Sequence, residues 1–293
     1  MFRKTIMVLS SVLACLLVSC AVLFAADQGV LTANTITYDS NTKIINAARN
    51  VLLTRGQSKV RGDAGQGSPE KSVFEISGNV SGLFPEYNVE LKSANSLQWR
   101  EKSGASSGGV VEARGSVHII GTAAAGDFLK ANYVRWESGT ENYRARGGVD
   151  MRWEGRILKA AEAQRTGNTF LALKVTRYED IAQKTVMSAE RVDGKIRDNV
   201  VQDVVATGNV KMDYVDDNGF KTHLTGAKAV YSMIKDTVVV SGGAKAVRSD
   251  GKTVSSETMI LHVESKNIEA VGSAKITFTL DDKAGEGKTE VAK

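Results

Sequence analysis

Gly208-Asn209-Val210-Lys211-Met212-Asp213-Tyr214 sets three apolar side chains against Lys211 and Asp213 in strict alternation. A period of two sends successive side chains to opposite faces, so the stretch predicts a β-strand with one buried and one wet face. The Gly-Asn pair ahead of it predicts a tight connection, because those residues tolerate the positive φ that a sharp reversal needs. The same block recurs at Arg49-Asn50-Val51, Gly78-Asn79-Val80, Gly115-Ser116-Val117, Gly147-Gly148-Val149, Gly242-Gly243-Ala244 and Gly272-Ser273-Ala274. The copy expected near Val175 is missing.

A second block alternates with the first. It runs small, polar, any, apolar, polar, aromatic, and is clearest at Ala33-Asn34-Thr35-Ile36-Thr37-Tyr38, Ala94-Asn95-Ser96-Leu97-Gln98-Trp99 and Ala131-Asn132-Tyr133-Val134-Arg135-Trp136. Weaker copies begin near Ala64, Ala160, Ala189, Gly226 and Ser256. Starts roughly 29 to 37 residues apart give about eight units. A strand with one apolar face must cover it with another sheet, so stacked units predict two continuous walls around a lengthwise apolar interior, with open strand edges at both ends. One rung per unit at about 4.8 Å makes a body roughly 40 Å long. Pro69 and Pro85 both fall in the irregular second unit, where they interrupt no strong strand. Helical signals are nearly absent; the segment from Leu158 to Arg165 fits a short helical turn or a repeat strand.

The chain divides into four parts. Residues 1–26 carry Arg3 and Lys4 and then an uncharged apolar stretch, which reads as an export leader. Leu23-Phe24-Ala25 allows simple cleavage, Leu17-Val18-Ser19-Cys20 allows lipidation, and the apolar length allows a retained membrane anchor. Each outcome places the remainder outside the cytoplasm. Residues 27–180 form a first set of repeats and 181–280 a second, continuous with it, with the degenerate segment 176–203 as the seam. Residues 281–293 are rich in Lys, Glu and Gly without apolar period, and read as a disordered tail.

Both cysteines, Cys15 and Cys20, lie in the leader, so the body has no thiol for a disulfide, a zinc site or a nucleophile. Without Arg3 and Lys4 the basic count falls from 38 to 36 against 33 acids, a formal charge of +3. That balance fits a mixed solvated surface rather than the concentrated basic stripe of a nucleic-acid binder. His118, His223 and His262 stand alone, and no metal-ligand spacing, nucleophile elbow or phosphate loop is present. Asp213, Asp216 and Asp217 lack the spacing of a calcium loop, and the following Asn218-Gly219 predicts a hairpin. The expectation is a protein that is not an enzyme and takes no cofactor or metal.

The run Leu31-Thr32-Ala33-Asn34-Thr35-Ile36-Thr37-Tyr38-Asp39, with residues 47–53 and Val60-Arg61-Gly62-Asp63-Ala64 after it, resembles the OstA/LptA-like family of periplasmic lipopolysaccharide-transport proteins. Ala206 to Met212, followed by Gly226-Ala227-Lys228-Ala229-Val230-Tyr231, repeats the pattern, so the resemblance covers almost all of the body. It implies an all-β fold: an elongated, incompletely closed β-jellyroll or β-solenoid-like stack of antiparallel strands whose apolar groove holds the acyl chains of lipopolysaccharide or a similar glycolipid. It also implies docking end to end, through edge strands, with LptC- and LptD-like proteins or with further copies of itself. This chain is longer than the compact members, with two sets of repeats instead of one.

An apolar groove suits such a cargo, since each methylene kept from water is worth about 0.8 kcal/mol. The inward positions of the clearest blocks are the candidate lining: Ile36, Tyr38, Val51, Leu53, Leu97, Trp99, Val117, Ile119, Val134, Trp136, Val149, Met151, Val210 and Met212. A structural or adhesive β-solenoid with a solid core and no lipid cargo would share this pattern. Interior width separates the two.

Overall fold

The computed structural model describes residues 29–101, 109–123, 125–138, 140, 142–197 and 200–278. The expected leader and tail lie outside these residues. Among the described residues eighteen strands follow in chain order. The first nine are β1 (Gly29–Thr32), β2 (Thr35–Asp39), β3 (Ile44–Arg55), β4 (Ser58–Ser68), β5 (Val73–Phe84), β6 (Val89–Glu101), β7 (Gly109–Gly121), β8 (Phe128–Glu137) and β9 (Tyr143–Trp153). The rest are β10 (Arg156–Thr166), β11 (Thr169–Asp180), β12 (Thr185–Arg197), β13 (Val200–Val215), β14 (Lys221–Ser232), β15 (Thr237–Arg248), β16 (Thr253–His262), β17 (Ile268–Val271) and β18 (Lys275–Thr277). From β3 to β16 each strand pairs antiparallel with its sequence neighbours. The two short strands β1 and β2 share one edge of β3, and β17 and β18 share the far edge of β16. The fold is all-β, one open, unclosed antiparallel sheet consistent with an incompletely closed jellyroll-like stack.

The recurrent Gly-Asn and Gly-Gly pairs do not sit where the sequence placed them. Gly78 and Asn79 lie in the middle of β5, Gly147 and Gly148 in the middle of β9, and Gly208 and Asn209 in the middle of β13. Both residues of each pair have φ between 47° and 79°. At each pair the register with the neighbouring strand slips, as between Thr207 and Val210 against β14. They are corners within a strand, not reversals between strands. Either geometry needs left-handed backbone, so the same residues signal both. The reversals proper are tight turns such as Glu154-Gly155 between β9 and β10. Near Val175 the corner exists without glycine: Lys174 takes φ of 50° and the register slips between Val175 and Tyr178.

Corners fold every long strand into two arms. Trp99 stands opposite Phe74 in the β5–β6 ladder, so a straight β5 would carry Phe84 about 33 Å from it at roughly 3.3 Å per residue. Instead the Phe84 and Trp99 ring centroids are 6.2 Å apart. The arms therefore face one another across an interior. We call the wall bearing Trp99 and Trp136 the near wall and that bearing Phe84 and Met151 the far wall. Each sequence unit thus supplies two bent strands rather than one rung per wall. The ladder from β1/β2 to β17/β18 spans about 70 Å at 4.8 Å per step, not the 40 Å expected from the sequence.

Inward side chains from both walls form one core. Leu97, Val111, Ala113 and Val134 come from the near wall, and Val51, Val80, Leu91, Val117 and Val149 from the far wall, all at most 2% exposed. Burying each Val or Leu is worth about 1.5–3 kcal/mol, and this core carries the described body without a disulfide. The segment from Leu158 to Arg165, left open between helix and strand, belongs to β10. Asp216 caps the β13–β14 hairpin, its Oδ1 accepting from the Asn218 and Phe220 backbone N–H groups, with Gly219 at φ 82°.

The outer faces are tiled with ion pairs such as Arg144–Glu162 and Arg177–Glu179, which favour solubility more than stability. His118 lies among them on β7, opposite Lys130 and edge-on to Phe128. Desolvation, then Lys130 and Lys92, lower its pKa. The unfolded chain therefore binds a proton more readily than the folded one, and stability falls as the pH drops below the ordinary histidine value of about 6.5. His118→Gln is expected to flatten that loss. Urea midpoints at neutral and mildly acidic pH check it: the variant should gain on the wild type only on the acidic side.

Candidate functional site

The interior is not filled evenly. Between β9 and β15 the walls separate around a cavity of about 260 Å³. On the near wall its lining includes Ala163 of β10 and Ala172 of β11, which stand directly opposite one another in the ladder. On the far wall it includes Met151, Leu158, Val175, Met187 and Met212. The gap follows from these choices. At their centre two adjacent rungs offer only the methyl groups of Ala163 and Ala172 from the near wall, with the larger Arg165 and Phe170 side by side nearer its edge and flexible methionines opposite. The volume sits just below the range usual for small-molecule pockets, which suits a slender apolar ligand.

Polar groups gather where the arms end. At the far-wall edge Arg156, 7% exposed, gives its Nε to Asp180 Oδ2 at 3.2 Å. Gln183 and Thr185 follow in the next turn. At the near-wall edge Arg165, 2% exposed, donates Nε to the Gly167 carbonyl at 3.0 Å. Lys266, from the β16–β17 connection, completes the rim. Burial lowers the Lys266 pKa against the opposing pull of Asp217, Asp236 and Asp180. Burial pushes the Tyr143 and Tyr178 phenols up and takes Tyr231 up to about 12, so all three are neutral donors at physiological pH. The Tyr231 hydroxyl and the Trp153 indole N–H are buried without a hydrogen-bond partner among the described residues. The chamber therefore presents an apolar lining, a few uncommitted donors and a charged rim. Among the described residues no three His, Cys, Asp or Glu side chains gather as a metal site, and no helix is long and apolar enough to cross a membrane.

Of the lining expected from the sequence, Met151 and Met212 border the cavity. Val149 and Val210, also on far-wall arms, are buried beside them. Val51, Leu53, Leu97, Trp99, Val117, Ile119, Val134 and Trp136 are buried too, but in the filled rungs from β3 to β8. Ile36 and Tyr38 depart from expectation, being 47% and 56% exposed. Ile36 stands opposite the buried Ala47 and so shares its inward face, but it belongs to the terminal rung, which no further strand covers among the described residues. Ala163, Ala172, Val175, Met187 and Val192 were missed. They lie in or beside the degenerate unit, and their only signal is small or flexible residues in inward register.

Fold and site together define a class: an open roll of bent antiparallel strands enclosing an apolar chamber. Among solved structures the chain is similar to LptH, the LptA homologous periplasmic component of the conserved lipopolysaccharide transport device from Pseudomonas aeruginosa. The identity is 14% and the TM-score 0.38, over 42% of this chain and 94% of that one. No family model and no curated protein matches the chain.

Proposed function

We propose that this protein is an exported, non-enzymatic lipid carrier that shields acyl chains in the chamber between β9 and β15. One observation carries the reading: an apolar cavity left open between two walls that are packed elsewhere, rimmed by buried Arg156 and Arg165 and by Lys266. Chains would lie against Met151, Met187 and Met212 while an anionic headgroup meets the basic rim. The sequence resemblance to the OstA/LptA-like family supports lipopolysaccharide or a similar glycolipid as cargo and the periplasm as location. The uncovered terminal rungs support end-to-end docking with LptC- or LptD-like partners or with further copies. Ile36 and Tyr38 are exposed at one end and Ile276 at the other. A strand edge with an apolar inward face is ready to accept another.

A solid-core solenoid remains the better description of β3–β8, where Phe84 and two tryptophans fill the interior. Photo-crosslinking tests the carrier reading. A photoreactive side chain at Met151 or Met212 is expected to capture glycolipid, and the same group at outward Arg152 or Lys211 is not. Equal capture from both faces would reject the chamber as the binding site.

A further inference from the structure

The filled and open halves meet at a defined place. Phe84 reaches from the far wall and Trp136 from the near wall, with ring centroids 5.6 Å apart and planes at 89°. Phe84 is 0% and Trp136 4% exposed. Trp136 stands opposite Tyr143 in the β8–β9 ladder, and Tyr143 lines the chamber. Neither ring borders the cavity itself; the pair fills the interior one strand behind Tyr143, where the cavity begins.

The Phe84 ring is held from several sides. It folds back over Gly82, where a Cβ would come within 2.9 Å of it. Trp99 packs on it at a tilt, and the Arg55 guanidinium lies 5.3 Å over Trp99. Arg55 Nη1 also reaches Glu101 Oε1 at 3.1 Å, tying the far-wall end of β3 to the near-wall end of β6. A chain end arriving along the axis from β9 passes Tyr143 and then meets, one strand further on, an aromatic bulkhead braced from behind.

We infer that the Phe84–Trp136 pair is a stop: the chamber is blind at its β8 end, and these rings set the longest acyl chain the protein shields in full. The inference rests on the acyl-chain reading above. It makes the chamber a measured holding site rather than a stretch of continuous conduit, with β3–β8 a rigid extension that the chain does not enter.

The test is a homologous series of saturated fatty acids, from octanoate to stearate, titrated into the full-length protein. Each added methylene is expected to raise wild-type affinity about fourfold, the equivalent of ~0.8 kcal/mol, until the chain reaches the stop, after which affinity levels off. Phe84→Ala is expected to move that break to longer chains while leaving the shortest acids unchanged, and Phe84→Leu to move it less. Near-UV circular dichroism confirms that each variant is folded; if Phe84→Ala is not, the Phe84→Leu break decides. A break at the same length in wild type and variants, or a wild-type affinity that climbs without a break, overturns the stop and leaves the acyl-chain reading standing. A wild-type protein that binds none of the series overturns the acyl-chain reading itself, and the stop with it.

Discussion

Ala172→Phe is expected to remove lipid binding while leaving the fold as stable as before or slightly more so. Ala172 is 5% exposed on the near wall, flanked in the ladder by Ala163 and Val192, and it borders the cavity. In a close-packed core a phenyl group at an alanine would force strain of about 1–3 kcal/mol. Here the added ring has an empty volume to enter and gains contacts with the methionines opposite, an effect typically worth about 0.5–2 kcal/mol of stability. The same ring occupies the space an acyl chain needs. Affinity for a fatty acid that fills the wild-type chamber should fall by at least about tenfold, which is roughly 1.4 kcal/mol. Thermal melting and the fatty-acid titration on one preparation check both halves. Undiminished affinity places the ligand elsewhere, and a large loss of Tm shows that the space is not open to a side chain.

The alternation at Val149, Met151 and Trp153, against Asp150 and Arg152, was enough to assign that arm of β9 and its buried face, and the structure keeps both. The number of strands was harder to read. At Gly208-Asn209 positive φ is needed whether the chain reverses or bends, so residue identity does not choose. The distinguishing sign is parity: Ala206, Val210 and Met212 stay on one inward face across the pair, as they do only if the strand continues. On the intervening strands the corner has no left-handed residue at all, and Gly62 and Gly226, which fall at two of them, do not have positive φ. It shows only as a spacing of three between buried residues, as from Ala131 to Val134 and from Ala160 to Ala163. Each bent strand was therefore read as one arm in one wall, which halved the expected length.

The chamber was legible only in part for a different reason. A cavity is set by what faces a residue from the opposite wall, and no local pattern carries that. Ala113 and Ala163 are both inward alanines on the near wall, yet only Ala163 borders the cavity. Ile36 makes the complementary point, since alternation gives its face correctly but not whether a further rung covers it.

Gly147→Ala and Gly148→Ala, one residue apart, are expected to differ in cost by about 2 kcal/mol although their φ angles are 78° and 79°. Both pay the left-handed penalty of a side chain, roughly 1 kcal/mol. They differ in surroundings. A Cβ on Gly147 would lie 2.8 Å from the Asn132 Cβ and 3.1 Å from its Nδ2, whereas one on Gly148 meets nothing within 4 Å. The Asn132 Cβ is fixed to the β8 corner and cannot swing aside, so the neighbouring strand must move. The other corners follow the same rule. A Cβ on Gly115 would strike Asn95, and one on Gly242 would strike the Ala227 methyl at 2.6 Å. The second position carries Asn79, Ser116, Asn209 or Ser273 at φ of 44–49°. At the first corner Arg49 takes the leading place at φ 65°, beside the broken edge of β1 and β2 rather than a full strand. Taking about 2–4 °C of Tm per kcal/mol for a domain of this size, Gly147→Ala should lower Tm by roughly 6–12 °C and Gly148→Ala by only about 2–4 °C. Gly148→Asn should be near neutral, since asparagine enters the left-handed region at little cost. Equal losses at the two glycines would mean that backbone conformation alone fixes these positions, and that the corners of adjacent strands do not bear on one another.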